Sequence, residues 1–87
     1  MNIQQTSLQA YEQVQPKIGK NQQIIFNLIY IHEGITDAEI GNTLDWPINT
    51  VTPRRNELVK LGLIYSKGVR LCKITKNTAN EWVQHGN

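Results

Sequence analysis

Residues 36 to 62, TDAEIGNTLDWPINTVTPRRNELVKLG, constrain the fold of this 87-residue chain more than any other stretch. They read as two short helices joined by a tight turn. The Thr36 hydroxyl can cap the first helix while Glu39, three residues on, reaches back to the cap's own N–H, and Ile35 and Ile40 occupy the positions of a hydrophobic staple. Ala38, Ile40 and Leu44 supply an apolar stripe, and Asp45-Trp46-Pro47 ends the run because proline disfavours helix in the residue before it. The turn is therefore only about four residues long, as in a helix-turn-helix. Asn49 is positioned to cap the second helix, Thr50 to Leu61, which Gly62 stops in a left-handed conformation.

The order of these features resembles the winged helix-turn-helix domains of bacterial and phage DNA-binding proteins, including MarR-like regulators. The similarity runs from T-D-A-E-I-G through a proline and a capped T-V-T-P-R-R to N-E-L-V-K-L-G-L-I and a basic hairpin, over roughly residues 21 to 75. It rests on several weak signals in the right order, with no single diagnostic fingerprint. It implies an α+β, mainly α fold: a winged helix-turn-helix with a three-helix core and a β-hairpin wing. An added N-terminal helix and a short C-terminal helix complete that expectation.

The remaining segments fit one domain, 1–87, divided into an N-terminal helical extension (1–20), a winged-helix core (21–75) and a C-terminal helix (76–87). In the extension, Thr6 with Gln9 can form a capping box, and Leu8, Tyr11, Val14 and Ile18 recur at helical spacing, with Pro16 expected to end the helix early. Such a helix either covers the domain's own core or packs against a second copy as a homodimer. Residues 21 to 33, NQQIIFNLIYIHE, form the strongest helix, with Asn21 as cap and Gly34 as stop; Ile24, Ile25, Leu28, Ile29 and Ile31 cover over half its circumference. After the helix pair, Leu63-Ile64-Tyr65 and Val69 to Thr75 read as strands of a hairpin (63–75) with Lys67-Gly68 at its tip. Leu63, Val69, Leu71 and Ile74 are its candidates for packing on the helices. NTANEWVQH reads as a closing helix capped at Asn77, with Trp82 and Val83 returning to the body.

Charge is distributed unevenly along the chain. Residues 1 to 45 carry two basic against five acidic side chains, −3, whereas residues 46 to 87 carry seven against two, +5. One surface is thus expected to face phosphate. The single cysteine, Cys72, allows no internal disulfide and reads as a small buried apolar residue. No charged start precedes an apolar run, and IIFNLIYI is too short to span a bilayer, so a cytoplasmic protein without membrane association is expected. No glycine-rich phosphate loop, paired carboxylates or nucleophile beside a base is present, so neither an enzyme nor a cofactor or metal site is expected.

On a helical wheel advancing about 100° per residue, Val51, Leu58 and Leu61 share the inward face of the second helix, with Val59 at its edge. Thr52, Pro53, Asn56 and Lys60 point away, and Thr50, Arg54 and Arg55 flank the stripe. A helix presented in this way fits the major groove of double-stranded DNA. Asn56 can pair with adenine through two hydrogen bonds, and Asn49, Thr50 and Thr52 can contact phosphate or a thymine methyl. The Arg54 guanidinium can reach a phosphate or a guanine. Arg55 stands where the resemblance calls for an apolar residue; pairing with Asp37, Glu39 or Glu57 and contact with DNA are both open to it. Pro53, a second departure, can touch a methyl but donates no hydrogen bond. Lys67, Arg70 and Lys73 would carry the wing's charge, on the DNA backbone or in the minor groove. The resemblance implies a small transcriptional regulator; the alternative is a winged-helix protein–protein interaction module in a phage or replication assembly.

Overall fold

The computed structural model describes residues 17 to 85. The chain runs α1 (Lys20–Ile31), α2 (Asp37–Leu44), α3 (Ile48–Lys60), β1 (Ile64–Leu71) and β2 (Thr78–Gln84), giving an α+β fold that is mainly helical. The expected N-terminal helix lies mostly outside the described residues. Of that extension, Lys17 to Gly19 are not helical, and Ile18 packs against the core.

α1 begins two residues earlier than a cap at Asn21 would place it: Gly19 takes the cap position, and Gln22 Oε1 accepts the Gly19 N–H at 2.7 Å and orders the first turn. Ile25, Phe26 and Ile29 are buried on one face, while Ile31, expected inside, is exposed at the last helical position. Burial of each such large side chain contributes about 1.5 to 3 kcal/mol, which makes α1 a principal support of the core. α2 opens with the anticipated capping box. Thr36 Oγ1 accepts from the Glu39 N–H at 3.3 Å, and Glu39 Oε1 accepts from the Thr36 N–H at 3.2 Å. Ile35 and Ile40, the staple pair, are both buried in the core.

The turn between α2 and α3 depends on Gly41. Its carbonyl accepts from the Trp46 N–H at 2.9 Å, and a Cβ on Gly41 would stand 2.8 Å from the Trp46 carbonyl oxygen, so no larger residue fits without moving backbone. Asp45 closes α2 in the left-handed region at φ 58°. α3 then starts at Ile48, two residues before the expected Thr50. Pro47 takes the cap position, and its carbonyl accepts from Thr50 and Val51 at 2.9 and 3.3 Å. Asn49 therefore lies inside the first turn and caps nothing. Val51 and Leu58 face the core as expected, whereas Leu61, at the helix end, is exposed.

The C-terminal segment corrects the sequence reading. Residues 78 to 84 form no helix; they are strand β2, antiparallel to β1 from Ile64↔Gln84 through Ser66↔Trp82 to Leu71↔Thr78. The hairpin turn is accordingly at residues 72 to 77, closed by Cys72 N–H to the Asn77 carbonyl at 2.8 Å and Lys76 N–H to the Cys72 carbonyl at 2.9 Å. Lys67-Gly68, expected at the tip, is instead a bulge within β1 between Ser66 and Val69. Glycine serves a bulge as readily as a turn. The bulge also breaks the face alternation, and Val69, Leu71 and Ile74, expected to pack on the helices, are exposed.

Ile35 adds a third, one-residue strand: it bridges Trp82, with Gly34 N–H to Trp82 O at 2.8 Å and Trp82 N–H to Ile35 O at 3.1 Å. This bond pair ties the hairpin base to the segment between α1 and α2. Ile25, Phe26, Ile29, Ile35, Ile40, Val51, Leu58, Ile64 and Trp82 form one continuous core, so Trp82 does return to the body, from a strand.

Candidate nucleic-acid interface

The outward side of α3 carries Asn49, Pro53, Asn56 and Lys60, all exposed and spaced four, three and four residues apart. That spacing keeps them on one stripe along the helix axis. None of the four is acidic, and no described element covers them. Thr50 is half-buried beside the stripe. Thr52 turns away from it, and its hydroxyl donates to Asp37 Oδ2 at 3.1 Å.

The three arginines of the region are held by carboxylates. Arg55 makes a two-pronged contact with Asp37, Nε to Oδ1 at 2.8 Å and Nη2 to Oδ2 at 2.9 Å, and its guanidinium carbon lies 4.2 Å from the centre of the Trp82 ring. With its side chain only 12% exposed, Arg55 bridges α2, α3 and β2 from within. Asp37 is one of the three acids open to it in the sequence reading. Arg54 pairs with Glu57 at 2.9 Å, and Glu57 also accepts from Gln22 at 2.6 Å, so this pair links α3 to α1.

Arg70 is turned inward from the hairpin. It donates to Glu39 Oε1 at 2.6 Å and Oε2 at 2.9 Å, to the Gly34 carbonyl at 2.9 Å, and lies 3.2 Å from Glu81. Glu39 Oε2 also accepts from the Lys73 N–H at 3.2 Å. The Arg70 hydrogen bonds, aided by the Lys73 and Thr36 amides and opposed by burial, hold the Glu39 carboxyl down at about 2. The same contact raises the Arg70 guanidinium.

Unpaired positive charge at the surface of the described residues therefore belongs to lysines. Lys60 on α3, Lys67 at the bulge, and Lys73 and Lys76 in the hairpin turn are exposed, and none forms an ion pair among the described residues. Lys76, at φ 64°, was not singled out by the sequence because its segment reads as helix; the signal available was the turn-forming Asn77 beside it.

A cavity of about 280 Å³ lies between the starts of α2 and α3 and the hairpin, lined by Asp37, Ala38, Ile48, Thr52, Arg55, Cys72, Thr75, Ala79, Asn80 and Trp82. Of its polar groups, Thr52 and Arg55 both donate to Asp37. Buried Cys72 sits on its floor and shares a hydrogen bond with Thr36 Oγ1 at 3.1 Å. Burial acts to raise the thiol, but hydrogen bonds from Thr36, Ile74 and Thr75 outweigh it and bring the thiol below its ordinary value. Among the described residues no three His, Cys, Asp or Glu side chains are arranged to hold a metal, and no helix is long and apolar enough to cross a membrane.

No protein-family model, curated protein or solved structure matches the chain.

Proposed function

We propose that the chain is a winged helix-turn-helix protein that binds double-stranded DNA, with α3 in the major groove and the hairpin turn on the neighbouring backbone or minor groove. The process served is transcriptional regulation of the prokaryotic or phage type. Three helices followed by a two-stranded hairpin, with Ile35 as a rudimentary third strand, support the fold reading. One observation carries the functional reading: α3 has an acid-free, exposed outer stripe, Asn49-Pro53-Asn56-Lys60, and the exposed Lys60, Lys67, Lys73 and Lys76 form no ion pair among the described residues. Lysine supplies charge to phosphate without fixed geometry, which suits backbone contact, whereas Arg55 and Arg70 use the planar two-pronged pairing of guanidinium on half-buried carboxylates.

The test is fluorescence anisotropy with a labelled random-sequence duplex across salt concentrations. With Lys60, Lys67, Lys73 and Lys76 on phosphates, log affinity falls against log salt with a slope of about −3 to −4. Lys73→Ala with Lys76→Ala reduces the slope by about two. Absence of salt-sensitive binding at low ionic strength removes the proposal.

A second reading has its own support. Ile48 (52% exposed), Val69 (64%) and Leu71 (63%) leave apolar surface near α3 and along the hairpin, joined by exposed Pro47 and Pro53. Such surface suits a protein partner in a phage or replication assembly. Ile48→Lys separates the two: it leaves DNA affinity intact or raises it, but abolishes association with a protein docked there.

A further inference from the structure

We infer that, in the DNA complex proposed above, Asn49 and Asn56 together read two adenines three base-pair steps apart, so that the recognised duplex is A·T-rich and not guanine-centred. This rests on the DNA-binding reading and adds the sequence class to it.

The first support is what α3 does not offer. The commonest specific contact to guanine is a guanidinium laid against O6 and N7. Here Arg55 is committed to Asp37 and stacked on Trp82, and Arg70 to Glu39 and Glu81, while Arg54 pairs with Glu57 at the surface and lies off the Asn49-Pro53-Asn56-Lys60 stripe. Freeing Arg55 or Arg70 would strand a half-buried carboxylate on α2.

The second support is what α3 does offer. Because Pro47 takes the cap position, Asn49 is released from capping and lies exposed in the first turn of α3. Asn56 is exposed seven residues later. Seven residues return to the same side of a helix within about 20° and advance about 10.5 Å. Base pairs are spaced about 3.4 Å apart, so that advance matches three steps for a helix lying along the groove. A carboxamide presents one donor and one acceptor, which complements adenine N7 and N6 in a two-bond contact.

Pro53 lies on the stripe between the two amides; it is apolar and exposed and suits a thymine methyl. Lys60 stands a full turn beyond Asn56, near the end of the helix, where contacts go to the backbone more than to base edges.

The experiment is selection of random duplex DNA by the full chain, followed by affinity measurements of Asn49→Ala and Asn56→Ala on the selected site. Both side chains are exposed, and thermal melts verify that the variants stay folded. The expected result is enrichment of sites with two adenines three steps apart. Each variant loses preference at one of the two positions and binds the selected duplex roughly tenfold more weakly. Salt-sensitive binding with a guanine-centred site, or with no preference at all, overturns this inference and leaves the DNA-binding reading standing. No binding to any duplex overturns both.

Discussion

Arg55 stands four residues after Val51 and three before Leu58, at a point on α3 where the helix turns toward its neighbours. A guanidinium there must be matched, and the first turn of α2 supplies Asp37 while β2 supplies the face of Trp82. The stacking and the two-pronged hydrogen bond act together, because each fixes the plane the other needs. Arg55→Ala is expected to lower unfolding free energy by roughly 1 to 3 kcal/mol, since Asp37 is left half-buried without its cation. Lysine at this position recovers less than half of that loss, because an ammonium reproduces neither the fork nor the stack. Urea denaturation measures both. Affinity for duplex DNA at fixed salt is expected to stay within about threefold of wild type, given surface-charge effects of this size. A tenfold drop in affinity with an unchanged denaturation midpoint would show that Arg55 contacts DNA after all.

At the scale of elements, the helix pair is held by one glycine and strained by one proline. The Trp46 carbonyl rests where a Cβ of residue 41 would be, 2.8 Å away, and is backbone, so it cannot swing aside. Gly41→Ala is therefore expected to destabilise by about 1 to 3 kcal/mol despite alanine's better helix propensity. A thermal melt showing a gain in stability would contradict the close approach. Pro53 is the sixth residue of α3, and lacking an N–H it leaves the Asn49 carbonyl without its helical donor. Because Pro53 is exposed, Pro53→Ala removes little packing. It is expected to raise stability by about 1 to 3 kcal/mol, measurable as a higher urea midpoint.

Across the whole molecule, Glu39 joins the parts. It completes the α2 capping box, binds Arg70 of β1 with both oxygens and accepts the Lys73 amide at the start of the hairpin turn. Its carboxyl lies at about 2, below the ordinary 4.5, so the folded state binds this proton less readily than the unfolded chain. The resulting stabilisation is present above about pH 5 and lost as pH falls toward 2, amounting to about 1 to 3 kcal/mol. Urea titrations at neutral pH and through that window are expected to show the decline, with Glu39→Gln less stable at pH 7 and flatter below pH 5. Parallel acid profiles for wild type and variant would place the acid sensitivity elsewhere. Hydrogen exchange is expected to quicken in the hairpin of Glu39→Gln before it does in α1, since Arg70 and the Lys73 amide lose their anchor.

Local chemistry was enough to find α1, the α2 capping box, the staple, the short turn and the inward set Val51 and Leu58, because caps, prolines and helical spacing act between residues close in the chain. The exposed positions of Pro53, Asn56 and Lys60 followed from the same wheel. The ends of the hairpin did not, because Lys67-Gly68 suits a bulge as well as a turn and NTANEWVQH satisfies a helix until β1 offers it an unpaired edge. Nor could spacing along the chain decide where Arg55 and Arg70 point, since their partners lie 18 and 31 residues away and only packing brings them within reach. Sequence alone determined the helical frame and which side of α3 is polar. Tertiary structure decided that the arginines hold the frame together while lysines and asparagines face outward, for a half-buried guanidinium must find a carboxylate whereas an exposed ammonium or amide need not.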